Sequence, residues 1–140
     1  MRRVFSSSFS LSALALGLLL LMLVNGCRKQ EYELLIEGVW IRVDVSDIDP
    51  GIGEEWEMFN NNINVYQYNI QNPSVRWLSQ QAKYVIERNG SKLYLKLANL
   101  NNSTFNTRWD IFELSEEKLI ISIEVPGGIF YQEFLKKIGN

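Results

Sequence analysis

From Gly38 almost to the C-terminus, apolar residues recur at every second position, and clusters of turn-forming residues interrupt them roughly every ten residues. A strand sends successive side chains to opposite faces, so a period of two gives each strand one buried face; a helix would need a period of 3.6. Val39, Ile41, Val43 and Val45 alternate with Trp40, Arg42 and Asp44 in a first strand, Gly38 to about Asp47, which stops at the turn-rich segment through Gly53. Glu55 to Phe59 and Ile63 to Ile70 form a hairpin across Asn60-Asn61-Asn62, and Val75 to Leu78 is a brief strand after Pro73. Ala82 to Arg88 pairs with Lys92 to Leu100 across Asn89-Gly90-Ser91, the strongest turn signal in the chain. Leu93, Leu95 and Leu97 share one face of that second strand. Arg108 to Leu114, Lys118 to Val125 and Ile129 to Lys136 follow, with Leu119, Ile121, Ile123 and Val125 facing inward. Eight or nine short strands joined by tight turns predict an all-β antiparallel meander, which must close or stack to avoid bare edges. An up-and-down β-barrel of about eight strands is the expectation, with a β-sandwich as the alternative. A barrel of that size is just wide enough to be filled by side chains or to hold one small ligand.

The first 26 residues follow different rules. Arg2 and Arg3 precede an apolar stretch from Leu11 to Val24, which is short of the ~20 residues a membrane-spanning helix needs. A basic start and a short apolar run are the parts of a secretory signal peptide. Val24-Asn25-Gly26-Cys27 resembles the lipobox of bacterial lipoproteins. That resemblance implies cleavage between Gly26 and Cys27, a lipid on the Cys27 thiol and acylation of the new amino terminus, enough acyl chains for stable anchoring. Cys27 is the only cysteine, so it has no disulfide partner within the chain. The expected organisation is a signal peptide over 1–26, a lipidated tether over 27–37 and one domain over 38–140. The tether is mostly charged and polar, with Leu34-Leu35-Ile36 an apolar cluster suited to a short helical turn or plug. Losing Arg2 and Arg3 takes the net charge from −2 to −4, which argues against a nucleic-acid partner.

Gly38-Val39-Trp40 is similar to the Gly-x-Trp opening of lipocalins and of lipocalin-like domains on bacterial envelope lipoproteins. The Tyr84 to Leu95 hairpin and the Trp109 to Leu119 segment resemble the later hairpins of those domains, and the likeness spans about Gly38 to Lys137. It implies an up-and-down barrel without naming a ligand.

Catalytic chemistry finds little material. The chain has no histidine, and lipidation would consume its one thiol, so the commonest proton-transfer and nucleophilic groups are missing. Gly127-Gly128 after Pro126 reads as a hairpin turn rather than a phosphate cradle. Asp44, Asp47, Asp49, Glu54, Glu55 and Glu57 are dense enough to raise paired-carboxylate hydrolysis, but carboxylates on an acidic protein usually form a solvated face. Asp44, Asp47 and Asp49 lack the spacing and the closing glutamate of a calcium loop. No catalytic residue, metal or cofactor is expected.

Aromatic residues are the remaining lead, since Trp40, Trp56, Trp77 and Trp109 with several tyrosines either fill the core or line a pocket. Trp56 and Trp77 are the candidate ligand-binding residues, each lying in a short polar segment near a turn. The leading expectation is a non-enzymatic, membrane-anchored envelope lipoprotein binding a small apolar or amphipathic ligand or another envelope protein. A structural or assembly module without a ligand comes second, and a carbohydrate-binding or hydrolytic enzyme third. Arg28 directly after Cys27 favours the outer membrane, because aspartate there typically retains lipoproteins at the inner one in some bacteria.

Overall fold

A computed structural model describes residues 30–43 and 51–138. The expected signal peptide over 1–26, the expected cleavage site at Gly26, Cys27, and the Asp44, Asp47 and Asp49 cluster therefore lie outside the described residues. By its contacts the chain divides into Met1–Glu31 and Tyr32–Asn140, and the fold below belongs to the second unit.

Eight strands form one closed antiparallel barrel in simple chain order. They are β1 (Gly38–Arg42), β2 (Ile52–Phe59), β3 (Asn62–Asn69), β4 (Asn72–Asn89), β5 (Lys92–Ala98), β6 (Arg108–Leu114), β7 (Lys118–Val125) and β8 (Gly128–Lys136). Closure is made by β1 against β8, with Trp40, Ile41 and Arg42 opposite Lys136, Leu135 and Phe134. That seam excludes the sandwich. It also gives β1 and β8, the first and last strands of the meander, a partner each, and so covers the edges that would otherwise invite sheet-to-sheet association.

Two details depart from the strand-by-strand expectation. Val75–Leu78 and Ala82–Arg88 belong to one 18-residue strand, β4, whose pairing with β3 slips between Val65 and Tyr66, leaving Ser79 unmatched. A bulge of this kind bends the strand and switches which parity faces inward. In β1 the buried face is that of Trp40, while Val39 and Ile41 are half-buried on the outside. The large indole, with no exposure, fills the lumen instead.

Strands β1, β3, β5 and β7 run from one end of the barrel, the floor, to the other, the mouth. The floor is closed. Residues 32–36 are helical, Ile36 is fully buried and Tyr32 packs against the core. Trp40 donates its indole N–H to the Ile36 carbonyl at 2.7 Å, and Lys136 lies over the Trp40 ring at 5.0 Å while bonding the Leu35 carbonyl at 2.9 Å. Gly38 makes this possible: its φ is +141°, and a Cβ there would sit 2.5 Å from Lys136 Cε. Only glycine fits that backbone and that close approach. Above this plug the interior is packed with Trp40, Met58, Ile63, Val65, Leu95, Leu97, Trp109, Leu119, Ile121 and Phe134, all essentially without exposure.

Candidate functional site

The mouth is divided in two. Over β5 to β8 the connection after β5 folds back, and its 3-10 turn Ser103–Phe105 is capped by Asn102, whose side chain accepts from the Thr104 N–H. Asn106 ties this loop down, accepting from the Leu100 N–H at 2.6 Å and donating to the Leu100 carbonyl at 3.0 Å. Phe105 is thereby placed against Trp109 and Phe130, at 5.4 Å from each ring, and Trp109 donates its indole N–H to the Phe105 carbonyl. This side is an aromatic lid.

Over β8 and β1 to β4 the inward positions turn polar. Arg42 shares the inward parity of Trp40 and sits opposite Phe134; its guanidinium stands 3.6 Å from Glu54, and both side chains are 14% exposed. Glu54 in turn accepts the Trp56 indole N–H at 2.7 Å. Across β2 and β3 Glu54 pairs with Gln67, and across β3 and β4 Gln67 pairs with Trp77. One row of inward-facing residues thus runs Phe134, Arg42, Glu54, Gln67, Trp77. Gln132 belongs beside it, between Phe130 and Phe134 on β8 and opposite Ile121. It is 5% exposed, and its Oε1 is the buried side-chain oxygen that lacks a hydrogen-bond partner among the described residues.

The two tryptophans singled out from sequence lie on the same concave face but in different settings. Trp56 is 3% exposed and packs on Phe134 at 4.8 Å, so it is wall rather than platform. Trp77 is 44% exposed, on the part of β4 that runs beyond the barrel body. Arg42, Gln67 and Gln132 escaped the sequence reading, because a polar residue within a strand is ordinarily assigned to the wet face. The available signal was parity: Gln132 falls in step with Phe130 and Phe134.

The acidic run of β2 does not converge on one centre. Glu54 faces the lumen, whereas Glu55 and Glu57 face outward, where Arg76 bonds both and Lys137 reaches Glu55 at 2.9 Å. Glu55 is nonetheless nearly fully buried, under Arg76, which also lies over the Tyr66 ring at 4.2 Å. These carboxylates are clamped by cations and serve the wall. Among the described residues no group of His, Cys, Asp and Glu is arranged to hold a metal ion, and no helix is long and apolar enough to cross a membrane. Hollows of about 430, 400 and 290 Å³ that these residues line open to solvent on the outer wall, as around Arg108, Asp110, Ser122 and Glu124.

Compared with protein-family models and with curated proteins, the chain matches none.

Proposed function

We propose that this protein is a non-enzymatic lipoprotein of the bacterial cell envelope, anchored through Cys27 and favouring the outer membrane, whose barrel takes a small amphipathic ligand at its mouth. The observation that carries the reading is Gln132. A buried acceptor without a donor costs about 1–3 kcal/mol, so a fold that keeps one has a use for a molecule that supplies the donor. Phe130, Phe134 and Trp56 offer apolar surface around it, and the Arg42–Glu54 pair offers charge at the rim. The ligand this fits has an apolar body and a hydroxyl, amide or ammonium group. It would lie in the upper half of the barrel, since the lower half is occupied by side chains.

Native mass spectrometry of protein purified from its own membranes tests both halves of the proposal in one spectrum. The expected result is an acylated chain starting at Cys27 with an additional small molecule that leaves on denaturation and is lost in Gln132→Leu. An unmodified Cys27 overturns the anchor, and an acylated chain without a companion overturns the ligand.

One observation favours the second reading, a protein-interaction module. Among the described residues no strand pairs with the outer edge of β4 from Asn72 to Gln81, since β5 engages β4 only from Lys83 onward. This segment exposes Val75, Trp77 and Leu78, and open edges of this kind accept a strand from another protein.

A further inference from the structure

We infer that the floor of the barrel is a membrane-contacting surface, with Leu34, Phe59 and Ile138 lying in the bilayer interface and the mouth pointing away from it. The inference rests on the lipidation of Cys27 proposed above.

These three residues are among the exposed large apolar side chains, at 65%, 47% and 79% exposure. They come from distant parts of the chain and meet at one rim. Gly38 pairs with Met58, which places Phe59 beside Glu37, and the Asn60 N–H bonds the Glu37 carboxylate at 3.0 Å. The Lys137 N–H bonds the Val39 carbonyl at 2.8 Å, which brings Ile138 to the level of Gly38. Leu34 lies one helical turn before Glu37.

Reach identifies the occupant. Tyr32 is packed against the core at the floor, and the chain from Cys27 to Tyr32 spans at most about 17 Å when fully extended. An eight-residue strand such as β7 is about 26 Å long, or about 20 Å along the axis of a tilted barrel. A lipid on Cys27 therefore reaches the bilayer easily with the floor down. To bring the mouth to the bilayer, the tether would have to lie stretched along the whole outer wall and still fall short. The floor rim carries both signs of charge, Lys92 and Lys118 with Glu116 and Glu117, so its attraction to a bilayer is apolar rather than electrostatic.

The test uses the mature acylated protein in phosphatidylcholine vesicles containing spin-labelled lipid. Acylation leaves no other free thiol, so Leu34→Cys, Phe59→Cys, Ile138→Cys, Val75→Cys and Ile129→Cys each accept one environment-sensitive fluorophore. The three floor positions are expected to be quenched at least twofold by the spin-labelled lipid, with blue-shifted emission, and the two mouth positions to be unaffected. Equal quenching at both ends, or quenching at the mouth alone or nowhere, in protein that floats with the vesicles overturns the orientation while leaving the anchor standing. Protein that fails to float and carries no acyl mass overturns the lipoprotein reading and this inference together.

Discussion

At the floor, the Trp40 indole N–H bonds the Ile36 carbonyl, and the Lys136 ammonium lies over the Trp40 ring and bonds the Leu35 carbonyl. At the mouth, the same strands carry a loose Arg42–Glu54 pair at 3.6 Å and a Gln132 oxygen that finds no donor among the described residues. Burial alone does not separate the two ends, because Gln132 is nearly as hidden as the floor residues. What separates them is satisfaction. The floor's polar groups are partnered within the fold, whereas a buried acceptor at the mouth has no donor among the described residues, and the proposed ligand would supply one.

Several substitutions would break or sharpen that contrast. The largest effect is expected from Trp40→Ala, which empties the floor and frees two polar partners; urea unfolding should show a loss of about 3–5 kcal/mol. Trp77→Ala, an equal cut on the exposed part of β4, should change stability by about 0.5 kcal/mol or less. Similar losses for the two would dissolve the distinction.

A pH titration reads the floor independently. Burial, followed by the charge of Glu37, pushes the Tyr84 phenol up to about 12 from its ordinary 10.0. The folded state holds this proton more tightly than the unfolded chain, so its contribution is complete below pH 10 and is lost as pH rises from 10 to 12. The loss should be on the order of 2 kcal/mol, and Tyr84→Phe should remove that part of the slope. Burial lowers the Lys136 ammonium, an effect of opposite sign: its cost fades as pH climbs toward 10.5, which makes the Tyr84→Phe control necessary.

At the mouth, Gln132→Leu should stabilise the ligand-free protein by about 1 kcal/mol, because it removes an unsatisfied acceptor without leaving another. Thermal denaturation of ligand-free protein checks this, and a destabilised variant would mean that the oxygen was already satisfied. A small effect is also expected for Arg42 and Glu54. A double-mutant cycle with Arg42→Met and Glu54→Gln should give a coupling of about 1 kcal/mol or less, as for a partly solvated pair.

The barrel was legible because its signals were redundant. Asn89-Gly90 fixed one hairpin, and Leu119, Ile121, Ile123 and Val125 declared their inward face unaided. β4 was less legible, since the unmatched Ser79 changes the parity between Trp77 and Ala82, and a strand read by alternation alone splits there. In β1 both faces carry large apolar groups, so composition did not say that Trp40 would be the one enclosed. The site was the least legible part. Trp56 and Trp77 were chosen by residue type, but a mouth is defined by which strands become neighbours, and no local pattern shows that Arg42 will stand over Glu54 beside β8. Gln132 reads as an ordinary surface glutamine until the barrel closes.

The seam between β1 and β8 has a consequence for how the chain is made. Lys136 Nζ bonds the Leu35 carbonyl across a separation of 101 residues, and β1 finds its second partner only in the final strand. A chain emerging from its N-terminus can zip each hairpin in turn, yet the barrel cannot seal until β8 arrives. The arrival of β8 is thereby converted into a structural event. A product stopped short of β8 would keep two unpaired edges and an uncovered Trp40, a form that proteases and chaperones can tell from the finished molecule.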